Sequence, residues 1–478
     1  MYMKKITALA FAVSLLASCT DILNKQPLGI LDSGSYFQTA DDAVQAVNAA
    51  YESLTFSVTN NNFYWGFGVL PSDEAIVGGD GSRPGLTELD FFTWTPRTQE
   101  LTDFWALNYK GIAQCNVVLE RVPDIEMDAE LKNRVLGEAY FLRAYYYFLL
   151  TQVFGDVPLY TKVTPPDELK IAKTPVAEVR RQIIADCQTA SGLLPVQHTL
   201  ANTGRATRGA AFALAAKTSL YEKNWQETLS WIEKVKSPGI YGLMPDYLDN
   251  FRENTQNNQE SVWEIQHTNL ESGVGNSLNQ WWASKKVTDG YGFAEVTQAY
   301  FDAFDPLDPR RGFTIAKNND QYFGVVYKNS FSSTKLGVKK YLQASTEVTQ
   351  KADGDINYTA IRYAEVLLWE AEALAELGRV EEARVPLELV RARARAQATS
   401  PDTALPPVVT SDKQELIEAI RKERQYELGF ECHRYFDLVR WGMADAVLPE
   451  FETGKHEVFP IPQTEIDLNP NLVQNPGY

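Results

Sequence analysis

The chain has 478 residues, a formal net charge of −17 at pH 7 and an aromatic content of 12 %. This acidic balance argues against nucleic acid and anionic lipid as partners, because both would repel the protein. The length fits two or three domains or one large helical array, and the aromatic content indicates a folded protein with rings to spare for a binding surface.

The first residues have the charge order of a secretory leader. Two lysines precede a mostly apolar stretch, residues 6–16, which is too short to span a bilayer. This stretch runs into the sequence LASC, residues 16–19, which resembles the lipobox of bacterial lipoproteins. In such signals the cysteine is acylated and becomes the first residue of the mature chain. We therefore expect a signal peptide over residues 1–18 and a lipid anchor at Cys19, and the alternative is a plain secretory signal with an incidental cysteine.

Later parts of the chain contain no run of about eighteen apolar residues, the length that a membrane-spanning helix needs. Lipid at Cys19 would then be the only membrane attachment. One acyl chain holds a protein only marginally, and two or more give stable anchoring.

Helical periodicity dominates two long parts of the chain, about residues 36–240 and 359–445. Apolar residues recur there every three or four positions, the spacing that places them on one face of a helix. Two segments, 205–235 and 362–394, each indicate two helices with a short break between them and alanines along the seam. Such hairpins are typical of tetratricopeptide repeats. We therefore predict a mainly α fold, a tetratricopeptide-like helical hairpin array.

Two segments interrupt this pattern, residues 55–100 and about 241–358. Both are rich in Gly, Asn and aromatic residues and lack a helical period. Long irregular segments in compact proteins are often functional. We predict that the first is an excursion from the helical platform and the second a loop-rich inserted subdomain, and that both are candidate working surfaces. A proline-punctuated C-terminal tail, residues 446–478, follows the second helical part.

Both irregular segments carry side chains suited to sugars, because flat rings stack on pyranose faces while amides, carboxylates and guanidinium groups fix the hydroxyls. Trp281 and Trp282 are the favoured pair. Neighbours in an extended segment point to opposite faces, so one can pack while the other faces solvent. For each aromatic residue the alternative is local core beneath a long loop. The candidate ligand-binding residues are Tyr64, Trp65, Asp73, Trp94 and Arg97 in the first segment and Asn279, Trp281, Trp282, Tyr291 and Tyr322 in the second.

Catalytic motifs are absent from the sequence. Only four His are present, none at the spacing of a zinc site, and there is no GxSxG, P-loop or GxGxxG-then-helix pattern. Pairs of carboxylates such as Asp73-Glu74 arise by chance among 62 acidic residues, so they are weak evidence for a glycosidase. We expect no enzyme activity and no cofactor.

Residues 353–357 carry the first three ligand spacings of an EF-hand loop. Tyr358 replaces the required glycine and Ala364 replaces the bidentate glutamate. We therefore predict a polar loop before a helix and no metal site.

Six charged residues near the C-terminus are predicted to form an ion-pair network that fixes the last helices to the array. Helical spacings of three would pair Arg424 with Glu427 and Asp437 with Arg440. Structural networks of this kind imitate functional clusters, so we assign them no ligand role. The six are Glu423, Arg424, Glu427, Arg434, Asp437 and Arg440.

Five segments spread along the chain resemble the SusD/RagB family of surface lipoproteins of Bacteroidetes. Together with the lipobox, the resemblance covers essentially the whole chain, and five segments in the family's order are far more specific than any one alone. They are GEAYFLRAYYYFLLTQVFGDVPL, DPLDPRRG, RYAEVLLWEAEAL, KERQYELGFECHRYFDLVRWG and FPIPQTEIDLNPNLVQNPGY.

The resemblance implies a lipid-anchored protein on the outer face of the outer membrane. It implies pairing with a SusC-type TonB-dependent β-barrel transporter, which the protein covers as a hinged lid that captures an oligosaccharide without catalysis. In related members, loops near the first irregular segment contribute to the ligand site. Three alternatives remain open from the sequence: the same lid for peptides, a surface glycoside hydrolase, and a tetratricopeptide-type scaffold that binds protein partners only.

Overall fold

The structure is a computed structural model, and it describes residues 37–57, 59–269, 273–287 and 289–478. The predicted signal peptide and Cys19 lie outside the described residues. Within the described ranges, no helix is both long enough and apolar enough to cross a membrane.

The first part of the chain forms the helical array that the periodicity predicts. Helix α1 begins with a capping box, in which the side chains of Thr39 and Asp42 bond each other's backbone N–H groups. From α4 onward each helix packs against the one before it, and α4 also packs against α1. The helices are α1 (Ala40–Glu52), α2 (Tyr64–Val69), α3 (Pro84–Asp90), α4 (Gln99–Arg121), α5 (Ala129–Phe154), α6 (Val176–Leu193), α7 (Arg208–Tyr221) and α8 (Trp225–Lys236).

The inserted segment consists of loops, short helices and short antiparallel strands. Its helices are α9 (Leu278–Trp281), α10 (Gln298–Ala303) and α11 (Pro309–Thr314). The strands are β1 (Ala75–Val77), which lies in the first irregular segment, then β2 (Ser261–Ile265), β3 (Ala294–Val296), β4 (Ile315–Ala316), β5 (Gln321–Tyr322), β6 (Val325–Val326), β7 (Gly337–Val338) and β8 (Tyr358–Arg362). They pair as β1–β3, β2–β8, β4–β7 and β5–β6.

A second group of helices completes the array after the insert. Helix α8 packs against α12, so the two predicted hairpins, α7–α8 and α12–α13, are neighbours and the insert loops out between them. Ion pairs join these hairpins, with Lys236 Nζ 2.7 Å from Glu370 Oε1 and Lys217 Nζ 3.1 Å from Glu365 Oε1. The helices are α12 (Tyr363–Glu376), α13 (Val380–Ala396), α14 (Lys413–Leu428), α15 (Arg434–Trp441), α16 (Ala444–Val447) and α17 (Gln463–Leu468).

Small residues set the close approach of the helices. The alanines along α7 are buried, as the seam predicts. At Gly111 on α4, a Cβ atom would lie 2.2 Å from the Tyr146 ring on α5, so only glycine lets these two helices meet at this distance. The prediction of a mainly α, tetratricopeptide-like array is confirmed.

The C-terminal ion-pair network exists, with one predicted pair corrected. Asp437 pairs with Arg440 at 2.8 Å as expected. Arg424 pairs with Asp437 rather than with Glu427. Glu427 faces the other way, into a buried cluster where it meets Arg310, Arg362 and Arg393. This cluster joins α14 to the insert and to β8, because Arg310 belongs to α11 and Arg362 ends β8.

Candidate functional site

The two irregular segments meet in a small antiparallel sheet. Strand β1 of the first segment pairs with β3 of the insert, with Ile76 opposite Glu295. The side chain of Asp90, at the end of α3, accepts a hydrogen bond from the Val77 backbone N–H at 2.9 Å. Two segments that are about two hundred residues apart in sequence therefore build one surface rather than two.

Loops at the end of this sheet lie against each other at van der Waals distance. The Gly78 N–H donates to the Phe293 carbonyl at 3.0 Å. A Cβ atom at Gly78 would lie 2.1 Å from the Gly292 carbonyl oxygen, so the contact requires glycine. Backbone hydrogen bonds from Tyr291 to Gln280 and from Phe293 to Trp281 attach the second loop to α9.

A layer of aromatic rings supports these loops from beneath. The Trp281 ring stacks on Phe63 with centroids 4.7 Å apart. The Arg83 guanidinium lies 4.8 Å from the Phe63 ring centroid and donates to Asn61 Oδ1 at 3.2 Å. Trp65 meets Trp281 at 6.2 Å. The surface loops therefore rest on a rigid, desolvated base.

Residues 59–61, 78–83, 284–287 and 289–293 form what we call the loop surface. It carries one large exposed ring, Tyr291, which is 44 % exposed. Asp80 and Lys285 stand beside it with their charged atoms 4.0 Å apart, both half-exposed. A ring together with amide, carboxylate and cationic groups suits a polar, largely neutral ligand held by stacking and hydrogen bonds.

The structure buries most of the aromatic residues predicted to bind ligand. The prediction that Trp281 or Trp282 faces solvent is wrong, because Trp281 ends helix α9 instead of lying in an extended segment. Trp282 packs edge-on against Trp65 at 5.8 Å and against Phe430 at 5.9 Å. Seven of the predicted residues are at most 4 % exposed, and we replace their direct ligand contact with a packing role: Tyr64, Trp65, Trp94, Asn279, Trp281, Trp282 and Tyr322.

Three predicted residues lie away from the loop surface. Asp73 accepts two hydrogen bonds from Arg434 of α15, at 2.7 and 2.8 Å. Trp94 donates its indole N–H to the Tyr478 hydroxyl at the C-terminus. Arg97 is exposed and follows Pro96, whose carbonyl accepts the backbone N–H of Gln463 in the tail. These contacts fix the first irregular segment to the C-terminal region.

Sequence reasoning missed three residues of the loop surface, Asp80, Arg83 and Lys285. The signal for Asp80 and Arg83 is a glycine-rich, charged turn, GGDGSRPG, directly after the short apolar run AIV, whereas Lys285 lies far along the chain in the insert. That pattern is typical of a strand followed by an exposed loop. Of the predicted set, Tyr291 is the residue that the loop surface presents to solvent.

Two buried titratable groups of the irregular segments accept backbone hydrogen bonds. Glu74, next to β1, accepts the Phe430 backbone N–H at 3.0 Å, and burial raises the pKa of this carboxyl to about 8. Nε2 of His267 accepts the Phe56 backbone N–H at 3.0 Å, and burial lowers the pKa of this imidazole to about 4. At neutral pH both groups are therefore predominantly uncharged in the folded protein.

The polar loop at residues 353–357 ties down the segment that follows β2. Asp353 accepts the Gly275 N–H, Asp355 accepts the Asn269 N–H at 2.6 Å, and Asn357 accepts the His267 N–H at 2.7 Å. These side chains therefore bond backbone groups. In the part of the chain that the structure describes, no group of three or more His, Cys, Asp or Glu is arranged to hold a metal ion.

Comparison with known proteins places this fold in one family. A sequence model described as the SusD family matches residues 254–458 and 445–478. A second model, described as "Starch-binding associating with outer membrane", matches residues 34–220. SusD-like proteins P2 and P25 of Formosa agariphila are 28 % and 25 % identical, over 99 % and 100 % of both chains respectively.

Solved structures agree with the sequence models. A laminarin-binding SusD-like protein has a TM-score of 0.81 and 28 % identity over 92 % of this chain and 100 % of its own. A SusD superfamily protein from Bacteroides vulgatus has a TM-score of 0.82 and 25 % identity over 93 % of this chain and 100 % of its own. Carbohydrate binding is the activity associated with this family. The chain belongs to the SusD/RagB family.

Proposed function

We propose that the protein is a lipid-anchored, non-catalytic lid that captures an oligosaccharide at the cell surface for a SusC-type TonB-dependent transporter. The observation that carries the proposal is the loop surface, which presents the exposed ring of Tyr291 and the Asp80–Lys285 pair above a base where Arg83 lies over Phe63. Family membership and the lipobox sequence at Cys19 support the same role. Confinement beside the transporter would raise the effective concentration of the pair.

The chemistry of the loop surface favours a glycan over an anionic ligand. One half-exposed ring can stack on a pyranose face, and Asp80 and Lys285 offer an acceptor and a donor for hydroxyl groups while largely cancelling each other's charge. A relative with 28 % identity is described as laminarin-binding, which makes a laminarin-type glucan the first ligand to test. Peptide capture, a glycoside hydrolase and a protein-only scaffold remain the competing hypotheses.

The test is affinity electrophoresis of the mature protein, begun after Cys19, through gels that carry laminarin, starch and a panel of other polysaccharides. We expect one glycan to retard the protein and laminarin to be the first candidate. No retardation by any glycan, repeated with the transporter present, would remove the glycan proposal in favour of peptide capture or a scaffold. New reducing ends during incubation would instead reveal a hydrolase.

The partnership needs its own experiment. Full-length protein with an affinity tag is extracted in mild detergent from cells that also express a SusC-type transporter. Co-purification of a TonB-dependent β-barrel protein supports the lid role. A stable preparation that binds glycan but never brings down a barrel would restrict the function to surface capture alone.

A further inference from the structure

A groove separate from the loop surface lies between helix α4, the segment 158–170 and tail helix α17. Its volume is about 570 Å³, within the range of roughly 300–1,000 Å³ that small-molecule sites occupy. None of its residues belongs to the loop surface. Its lining includes Trp105, Tyr109, Ala113, Tyr160, Lys162 and Lys170.

The floor of the groove is apolar and aromatic. Trp105 and Tyr109, one turn apart on α4, have ring centroids 4.9 Å apart. Tyr160 meets Tyr109 edge-on at 5.9 Å. Leu169 and Leu468 continue the apolar surface to the rim, where they are 43 % and 67 % exposed. Exposed leucines that border an apolar cavity are typical of a binding surface.

Polar side chains in the walls of the groove donate hydrogen bonds to backbone carbonyls of neighbouring segments. The Tyr109 hydroxyl donates to the Pro158 carbonyl at 2.7 Å. The Asn116 amide donates to the Tyr160 carbonyl at 3.0 Å, and the Asn469 amide donates to the Ile171 carbonyl at 2.8 Å. The groove is therefore preformed, and these donors are not free to bind the hydroxyl groups of a sugar.

Two cations stand at the edge of the groove. Lys162 and Lys170 are exposed, and neither has an acidic partner within the described residues. Glu465 is the acidic group of the lining, and its half-buried carboxyl accepts a hydrogen bond from Trp105, while burial raises its pKa. The lining thus has an excess of positive charge on a chain of formal charge −17.

We propose that this groove binds an amphipathic monoanion, with an apolar body along Trp105, Tyr109 and Tyr160 and its acidic head beside Lys162 and Lys170. The apolar floor supplies burial of apolar surface, and the lysines supply charge complementarity. The Asn116 and Asn469 amides in the walls are already used, which disfavours a neutral oligosaccharide along the floor. The free donors of Lys162 and Lys170 lie at the edge, where they suit an acidic head.

The probes are anilinonaphthalene sulfonate, which fluoresces when it is buried, and decanoate as its competitor. In the mature protein, begun after Cys19, we expect saturable fluorescence that decanoate displaces. Ala113 is exposed on the groove face of α4, so Ala113→Trp fills the groove without disturbing the core. This variant should weaken probe binding by about tenfold or more, the loss of roughly 1.4 kcal/mol or more.

Ala129→Trp is the matched control, since it makes the same change at an exposed first residue of α5 outside the groove, and it should bind as the original protein does. Circular dichroism checks that both variants fold. No saturable binding by the original protein, or equal binding by the Ala113→Trp variant, would overturn the proposal.

A second variant tests the acidic head. Lys162→Ala combined with Lys170→Ala should weaken decanoate binding by about threefold, the effect of exposed ion pairs, and leave decanol binding unchanged. Equal losses for decanoate and decanol would contradict a charged head at this position. Affinity electrophoresis with glycans tests the loop surface, so its outcome does not depend on these two binding experiments at the groove.

Discussion

Tyr291 carries the prediction that most directly tests the loop surface. Tyr291→Ala should weaken glycan binding by about 1 kcal/mol, roughly fivefold, because stacking of an aromatic ring is lost. Tyr291→Phe keeps the ring and should retain most of the affinity. Isothermal titration with the glycan found by electrophoresis measures both variants.

Phe91→Ala is the matched control for Tyr291, because Phe91 is also a large exposed ring, at 57 %, but lies outside the loop surface. It should bind as the original protein does. An unchanged titration curve for Tyr291→Ala would move the ligand site away from the loop surface.

Trp282 has a different expected effect, since its ring is 1 % exposed. Trp282→Ala should lower the free energy of unfolding by about 3–5 kcal/mol, because it leaves a large cavity between Trp65 and Phe430. Urea denaturation measures the change. Normal stability combined with lost glycan affinity would show that Trp282 contacts ligand after all.

At the level of single residues, composition predicts the kind of side chain but not its exposure. The aromatic-rich, asparagine-rich segments supply both the buried rings of the base and the residues of the loop surface. Which ring is exposed depends on the pairing of β1 with β3, and no local pattern around Trp281 and Trp282 reveals that pairing. Tyr291 is exposed because it lies in the turn just before β3, whereas the tryptophans occupy the helix beneath it.

Burial of Glu74, next to β1, makes the free energy of unfolding depend on pH. Its pKa is about 8 in the folded protein and near 4.5 when unfolded. Below pH 4.5 the carboxyl is protonated in both the folded and the unfolded state. As pH rises from there toward 8, the unfolded state loses the proton while the folded state keeps it, so the free energy of unfolding falls. Each pKa unit corresponds to about 1.4 kcal/mol, so the fall can reach several kcal/mol. The charge of Asp73 further raises the pKa of Glu74, whereas the charges of Arg434 and Lys340 lower it.

Glu74→Gln should remove this pH dependence, because a neutral amide replaces the protonated carboxyl. Thermal unfolding from pH 5 to pH 9 in the original protein and the variant measures the difference between the two slopes. Parallel curves for the two proteins would mean that Glu74 does not titrate in this range.

At the level of elements, the helices are predictable because their apolar spacing and caps are local. Thr39 and Asp42 mark the start of α1 in the sequence, and the breaks at Lys223-Asn224 and Gly378-Arg379 mark the hairpin turns. The short strands are not predictable in this way. Strands of two to five residues carry too little alternation, and their partners lie far along the chain.

At the level of the whole molecule, the proposed lipid anchor at Cys19 lies outside the described residues. Cys19→Ala should abolish incorporation of labelled fatty acid and move the protein from the membrane fraction to the soluble fraction. The reason is that the thiol is the proposed acylation site, and within the described residues no helix is long and apolar enough to cross a membrane. Ser18→Ala keeps a small residue before the cysteine and should behave as the original protein. Membrane retention of an unlabelled Cys19→Ala protein would reveal another attachment.

The pairing of β1 with β3 also limits how the loop surface of this chain can be altered. A new loop at residues 78–83 must still fit against the Gly292 region, and a new loop at 284–293 must still fit against Gly78. A graft of either loop alone therefore breaks the contact on which both depend. If the loop surface binds the ligand as we propose, a change of specificity in this chain has to replace two distant stretches of its sequence together.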